Sequence, residues 1–118
     1  MTIKEAQTAV DDWISQFEEG YFAPLAMVAR LSEELGELAR EVNHSYGPKP
    51  KKPSEAAGSV AEEMGDLLFV LISFANSLGI DLDEAFTRVM DKYRQRDGAR
   101  WTRRSARAAH PEDEDGTQ

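Results

Sequence analysis

Cysteine is absent from these 118 residues, which excludes disulfides, thiolate metal ligands and thiol nucleophiles. Histidine occurs only twice, at His44 and His110, one in a loop-like stretch and one near the C-terminus. Long apolar runs are missing as well. The stretch Leu67–Ile72 is six residues long, far short of the roughly 20 needed to cross a bilayer. The N-terminus is amphipathic and acidic, which is not a signal-peptide pattern. Positive charge is in the minority, with 14 Lys and Arg against 22 Asp and Glu and a net charge of −8. That balance weighs against general nucleic-acid binding, because phosphate neutralisation needs a basic surface. The expectation is a cytoplasmic protein with no membrane and no nucleic-acid partner.

What the chain has is helical periodicity. Thr2 and Glu5 form a capping-box pattern, and Ile3, Ala6, Val10, Trp13, Ile14 and Phe17 follow as one apolar stripe, with Gly20 as the expected terminator. Pro24 suits the first turn of a second helix, predicted to run to about Val42 with Leu25, Val28, Leu31, Leu35, Leu38 and Val42 on its inner side. Residues 44–54 hold three prolines and three lysines and read as a loop, either a solvated connector or a basic flap over an anionic ligand. A third helix is predicted from Ser54 as N-cap to near Gly79. Its segment Leu67–Ile72 is apolar on every side, so it should be buried on every side. In a chain this short that implies a partner subunit. A fourth helix opens at Asp81 and Glu84, with Ile80 and Ala85 as a staple, and turns Leu82, Phe86, Val89, Met90 and Tyr93 inward. The expected architecture is all-α and four-helix bundle-like, with one domain over residues 1–101. Residues 102–118, basic and then acidic, form an expected disordered tail.

One short pattern occurs twice. Glu33-Glu34-Leu35-Gly36-Glu37-Leu38 and Glu62-Glu63-Met64-Gly65-Asp66-Leu67 are both Glu-Glu-apolar-Gly-acid-Leu. Residues three apart share a helix face, so Glu34 lies beside Glu37 and Glu63 beside Asp66. The two glycines suggest a close approach of two backbones. If the helices pair, four carboxylates converge. At about 4 Å and an effective dielectric near 20, each like-charge contact costs on the order of 4 kcal/mol. A cation relieves that cost. An ordinary solvated acidic face is the alternative for either copy alone; the repetition favours a metal site.

Four carboxylates without His or Cys select a hard cation, Mg²⁺ with Mn²⁺ as a substitute. A carboxylate-bridged di-iron bundle would want Glu-x-x-His, and here Asp66 stands in place of that His. Lys92 and Arg96, four apart on the fourth helix, offer a point charge and a fork for phosphate. Ordinary ion pairing with Asp91 and Asp97 is the alternative. Acids for a metal and bases for phosphate suggest phosphoanhydride hydrolysis. Glu33, left over from coordination, is the candidate general base. Trp13, Tyr21, Phe22 and Trp101 are candidates to stack on a base, although Trp13 equally fits the core stripe of the first helix.

The run Glu33-Glu34-x-x-Glu37 … Glu63-x-x-Asp66 resembles the EExxE…ExxD signature of MazG-like nucleotide pyrophosphohydrolases of the short, YpjD-type group, and Lys92-Tyr93-x-x-Arg96 agrees with it. The resemblance covers residues 10–102. It implies an all-α fold assembling through the third helix into a homodimer or a dimer of dimers. It also implies cleavage of a (deoxy)nucleoside triphosphate between the α and β phosphates, giving the monophosphate and pyrophosphate, as in cleansing of the nucleotide pool. By the resemblance Glu34, Glu37, Glu63 and Asp66 bind Mg²⁺, Glu33 orients or deprotonates water, and Lys92 and Arg96 contact phosphates. Many such domains carry Asn where Ser73 stands here, and another where this chain has Met90-Asp91; Asn76 is the nearby substitute expected to bind substrate. The competing reading is a helical-bundle interaction protein that has lost catalysis. The five signature acids weigh against it.

Overall fold

The computed structural model describes residues 1–48 and 58–105. Over these residues the chain is all-α: α1 (Ile3–Ile14), α2 (Pro24–Tyr46), α3 (Val60–Ser77) and α4 (Leu82–Asp97), with no strand among them. Packing divides the chain into two units, Met1–Asp83 and Glu84–Gln118. In the first unit, α2 and α1 both pack against α3.

Each helix end has a local cause. The Thr2 hydroxyl accepts from the Glu5 amide at 3.1 Å while the Glu5 carboxylate accepts from the Thr2 amide at 2.8 Å, a complete capping box. α1 stops at Ile14, earlier than the apolar stripe suggests, because the Gln16 side-chain amide donates to the Trp13 carbonyl at 3.2 Å. That carbonyl would otherwise accept the next helical amide. Two tight turns follow, and Gly20 closes the second at φ 59°, a conformation that favours glycine. α2 starts on Pro24 as expected but continues past Val42 to Tyr46, taking in His44 and Ser45. Nothing breaks it before Gly47, whose extended ψ of 176° is what a following proline requires.

The α3 start also differs. Ser59, not Ser54, is the N-cap, its hydroxyl accepting from the Glu62 amide at 2.9 Å. Ser54 lies outside the described residues, as does most of the 44–54 segment. At its other end, Gly79 has φ 67°, and its amide and that of Ile80 donate to the Asn76 and Ala75 carbonyls. This is a Schellman closure, sharp enough to start α4 at once. Asp81 accepts from the Asp83 amide at 3.0 Å at the head of α4.

Within one chain Leu67–Ile72 is not buried on all sides: Val70 and Ile72 are buried, whereas Leu68 is 54% and Leu71 44% exposed. One chain supplies neighbours for only part of an all-apolar helix. Nor do the paired glycines mediate a close approach in the described structure. A Cβ built on Gly36 or Gly65 meets nothing within 4 Å, so each forgoes about 0.5–1 kcal/mol of helix propensity with no internal contact to offset it. A close approach between segments is found instead at Gly58, where a Cβ would lie 2.8 Å from Glu41 Oε1.

Candidate active site

The α2–α3 pairing brings the two acidic copies together. Glu34, Glu37 and Glu63 each offer a carboxylate oxygen within 4.8 Å of the others. Glu34 is buried and Glu63 half-buried. Helical spacing sets this: Glu34, Glu37 and Glu41 stand at i, i+3 and i+7 on one face of α2. Asp66 is exposed and outside that set of three, yet its charge raises the pKa of both Glu34 and Glu63. For both carboxyls the first cause of the upward shift is burial, followed by the Glu37 side chain. Glu34 Oε2 and Glu63 Oε2 are buried without a hydrogen-bond partner. An orphaned buried carboxylate oxygen is costly, and two of them on residues of one all-oxygen cluster fit a hard divalent cation. Glu34 and Glu63 are thus the strongest ligand candidates, with Glu37 completing the set.

Two charged residues escaped sequence reasoning. Arg30, one turn before the acids, sits 3.3 Å from Glu34 Oε1 and 3.6 Å from Glu33 Oε2. Its i, i+3 and i, i+4 spacing to them was the available signal. Glu41 is buried against Gly58, and its charge also raises Glu63. Glu33 itself is exposed, its side chain 65% accessible and turned to Arg30 instead of the carboxylate cluster.

Beside Arg30 lies a cavity of about 170 Å³. Trp13, Tyr21, Phe22 and Phe69 give it aromatic walls, and Arg30 and Ser73 are its polar points. Trp13 is 55% exposed and meets Phe17 edge to face at 5.2 Å, so it stands at the cavity wall and not in a closed core. Asn76 does not line this cavity. Its two N–H groups donate to the Gln7 carbonyl at 2.9 Å and the Tyr21 hydroxyl at 3.2 Å, and its oxygen accepts from Gln7 Nε2 at 2.9 Å. Both of its donors are therefore engaged inside the fold.

In the second unit, Arg88, Asp91, Lys92, Gln95 and Arg96 line one shallow groove along α4. Lys92 and Arg96 both lie over the Tyr93 ring, at 5.3 and 5.7 Å from its centre. Arg96 also forms a fork with Asp97, at 2.9 Å for its shortest contact, which holds the Asp97 carboxyl below its ordinary range.

A metal-ready pair of acidic helix faces next to an aromatic cavity suits a nucleotide enzyme, and comparison with known proteins decides which. The profile of the MazG nucleotide pyrophosphohydrolase domain matches residues 22–101. The chain belongs to the MazG family. It is 63% identical over 103 residues to the YpjD protein of Bacillus subtilis (strain 168), covering 87% of this chain and 93% of that one. Rat dCTP pyrophosphatase 1 is 32% identical over 99 residues, 80% of this chain and 55% of that protein. The crystal structure of B. subtilis YpjD superposes with a TM-score of 0.72, covering 79% of this chain and 95% of that one. A Bacillus-conserved MazG protein, a nucleotide pyrophosphohydrolase, is 56% identical with a TM-score of 0.71, covering 82% and 94%. Membership makes the chain a nucleoside triphosphate pyrophosphohydrolase of a divalent-metal-dependent family. The acidic cluster of this MazG domain has the donor chemistry that such a family needs.

Proposed function

We propose that the protein is an Mg²⁺-dependent enzyme cleaving (deoxy)nucleoside triphosphates between the α and β phosphates, releasing the monophosphate and pyrophosphate. The observation that carries this is the pair of orphaned, buried oxygens on Glu34 and Glu63 within one carboxylate cluster. Glu34, Glu37, Glu63 and Asp66 would hold the cation, and a divalent cation bound there would supply neutralisation of charge on the phosphoryl oxygens. Glu33, exposed and outside the cluster, takes a proton from the attacking water. The water oxygen bonds to the α-phosphorus, and the bridging oxygen leaves with pyrophosphate. Arg30 stands between the acids and the aromatic cavity, placed to meet a phosphate while Trp13 and its aromatic neighbours take the base. Lys92 and Arg96 bind phosphate oxygens from α4, a role for which their shared groove is suited.

A screen of the eight common triphosphates, with oxidised and deaminated ones added, tests the activity. At least one should release pyrophosphate with Mg²⁺ or Mn²⁺ and none with chelator. Release of orthophosphate alone, or turnover indifferent to chelator, would overturn the assignment.

We further propose that the working form is a homodimer or a dimer of dimers. Val28 and Leu35, seven apart on α2, and Met64, Leu68 and Leu71 on α3 form exposed apolar stripes at helical spacing. A second copy of the same helix pair is the expected cover, since a self-complementary apolar face closes under two-fold symmetry. Light scattering should give at least twice the 13.2 kDa chain mass at micromolar concentration, and Leu68→Asp should shift the population towards monomer. A wild-type monomer under those conditions contradicts the proposal.

A further inference from the structure

The aromatic cavity has a feature that lies behind it. Tyr21 forms part of the cavity wall, but its hydroxyl is held from the rear, donating to Asp11 Oδ1 at 2.5 Å and accepting from Asn76 Nδ2 at 3.2 Å. Asn76 is in turn locked to Gln7 by a reciprocal pair of bonds, described above. Gln7 reaches further, donating to the Ile80 carbonyl at 2.8 Å and accepting from the Leu82 amide at 2.9 Å. The chain therefore runs Asp11–Tyr21–Asn76–Gln7–Ile80/Leu82 and ties α1, the 15–23 turn and the end of α3 at one knot. Gln7, Asp11 and Asn76 line a separate shallow cleft, and none of the three is part of the cavity lining.

The segment this knot holds has few other anchors. Residues 15–23 form no regular helix, and Gly20 adopts the left-handed conformation next to Tyr21. Phe22 is 54% exposed. An irregular, mostly exposed segment is a low-stability element unless something fixes it. Burial, and then the Asp11 carboxylate, push the Tyr21 hydroxyl above its ordinary range, which keeps it protonated as the donor the knot requires.

We infer that Asp11, Asn76 and Gln7 are positioning residues that set nucleobase affinity from behind, by fixing Tyr21 and the turn around it as one wall of the aromatic cavity. They touch no reacting atom. Asn76, expected from sequence to contact substrate, acts here through Tyr21. The inference depends on the cavity being the base site of the proposed pyrophosphohydrolase, and its test separates the two.

Tyr21→Phe keeps the ring and removes the hydroxyl. It should raise KM for the preferred triphosphate roughly five- to tenfold, the scale of one hydrogen bond, with kcat within about twofold. Asp11→Ala should do the same, and Asp11→Asn, which keeps an acceptor oxygen, should retain most of the affinity. The double variant Tyr21→Phe/Asp11→Ala should be no worse than Tyr21→Phe alone, because that change already removes the bond to Asp11. Independently of turnover, Trp13 reports on the wall. With Trp101→Phe it is the one remaining indole of two, and Tyr21→Phe should make its emission more accessible to acrylamide. Unchanged KM together with unchanged Trp13 quenching in Tyr21→Phe would overturn the inference. So would kcat falling in step with the affinity, or additive effects in the double variant. If the wild-type protein hydrolyses no triphosphate, the proposed activity fails, while the Trp13 measurement still decides whether the knot fixes the wall.

Discussion

Glu63→Gln is expected to reduce turnover to background, a loss of at least about 10³-fold, while raising the melting temperature of the metal-free protein. Both halves have one cause. Glu63 carries a buried oxygen with no hydrogen-bond donor and sits among Glu34, Glu37, Glu41 and Asp66. Its charge is unfavourable until a cation arrives. The amide removes the charge and with it a proposed metal ligand. The pH dependence follows the same direction. Burial and neighbouring acids raise the folded-state pKa of Glu34 and Glu63 above the unfolded value. The folded state therefore binds more protons than the unfolded state between those two values. The contribution to stability is fully present below the ordinary carboxylate range and is lost as pH rises through the raised folded values. Metal-free protein should thus gain stability from these groups on mild acidification from neutral pH. Saturating Mg²⁺ should oppose that trend, since protonation and metal compete for the same oxygens. Thermal melts across pH, with and without Mg²⁺, and a turnover assay check this. Wild-type rates in Glu63→Gln, or a melting temperature that falls without metal, would contradict the site.

Glu33→Gln is expected to separate catalysis from binding. The side chain is exposed, touches Arg30 and lies outside the carboxylate cluster. It can therefore lose its charge without disturbing the ligand set. The expected loss is roughly 10²–10⁴-fold in kcat, the scale for a general base, with modest change in nucleotide or Mn²⁺ affinity. Turnover of the wild-type enzyme in ¹⁸O-water locates the attack. Label should enter the nucleoside monophosphate and not pyrophosphate, because in the proposed mechanism the water oxygen bonds to the α-phosphorus. Label in orthophosphate, with a diphosphate product, would show γ-phosphate hydrolysis and rule out the mechanism.

Several features were legible in the sequence for physical reasons. Capping of α1 by Thr2 and Glu5 is a contact between residues three apart, and Pro24 announces the start of α2 by its own ring geometry. The doubled Glu-Glu-apolar-Gly-acid-Leu pattern placed acids on single faces of two helices, and periodicity alone was enough to predict that they could meet. The four helices, with no strand among the described residues, follow from the same 3.6-residue period.

Other features required the fold. The knot of Gln7, Asp11, Tyr21 and Asn76 joins residues up to 69 positions apart, and no local pattern marks Gln7 as the partner of Asn76. The true α3 cap, Ser59, was hidden because Ser54 offers the same side chain five residues earlier. The two motif glycines face open space while Gly58 meets Glu41, a distinction that depends on which side of each helix the partner lies. The order of the acids was likewise a tertiary outcome. The doubled motif predicted four ligands, but packing buries Glu34, half-buries Glu63, and leaves Glu37 and Asp66 exposed. Sequence determined which residues could carry charge on one face. The fold decided which of those charges lose their water, because desolvation depends on what the opposing helix covers.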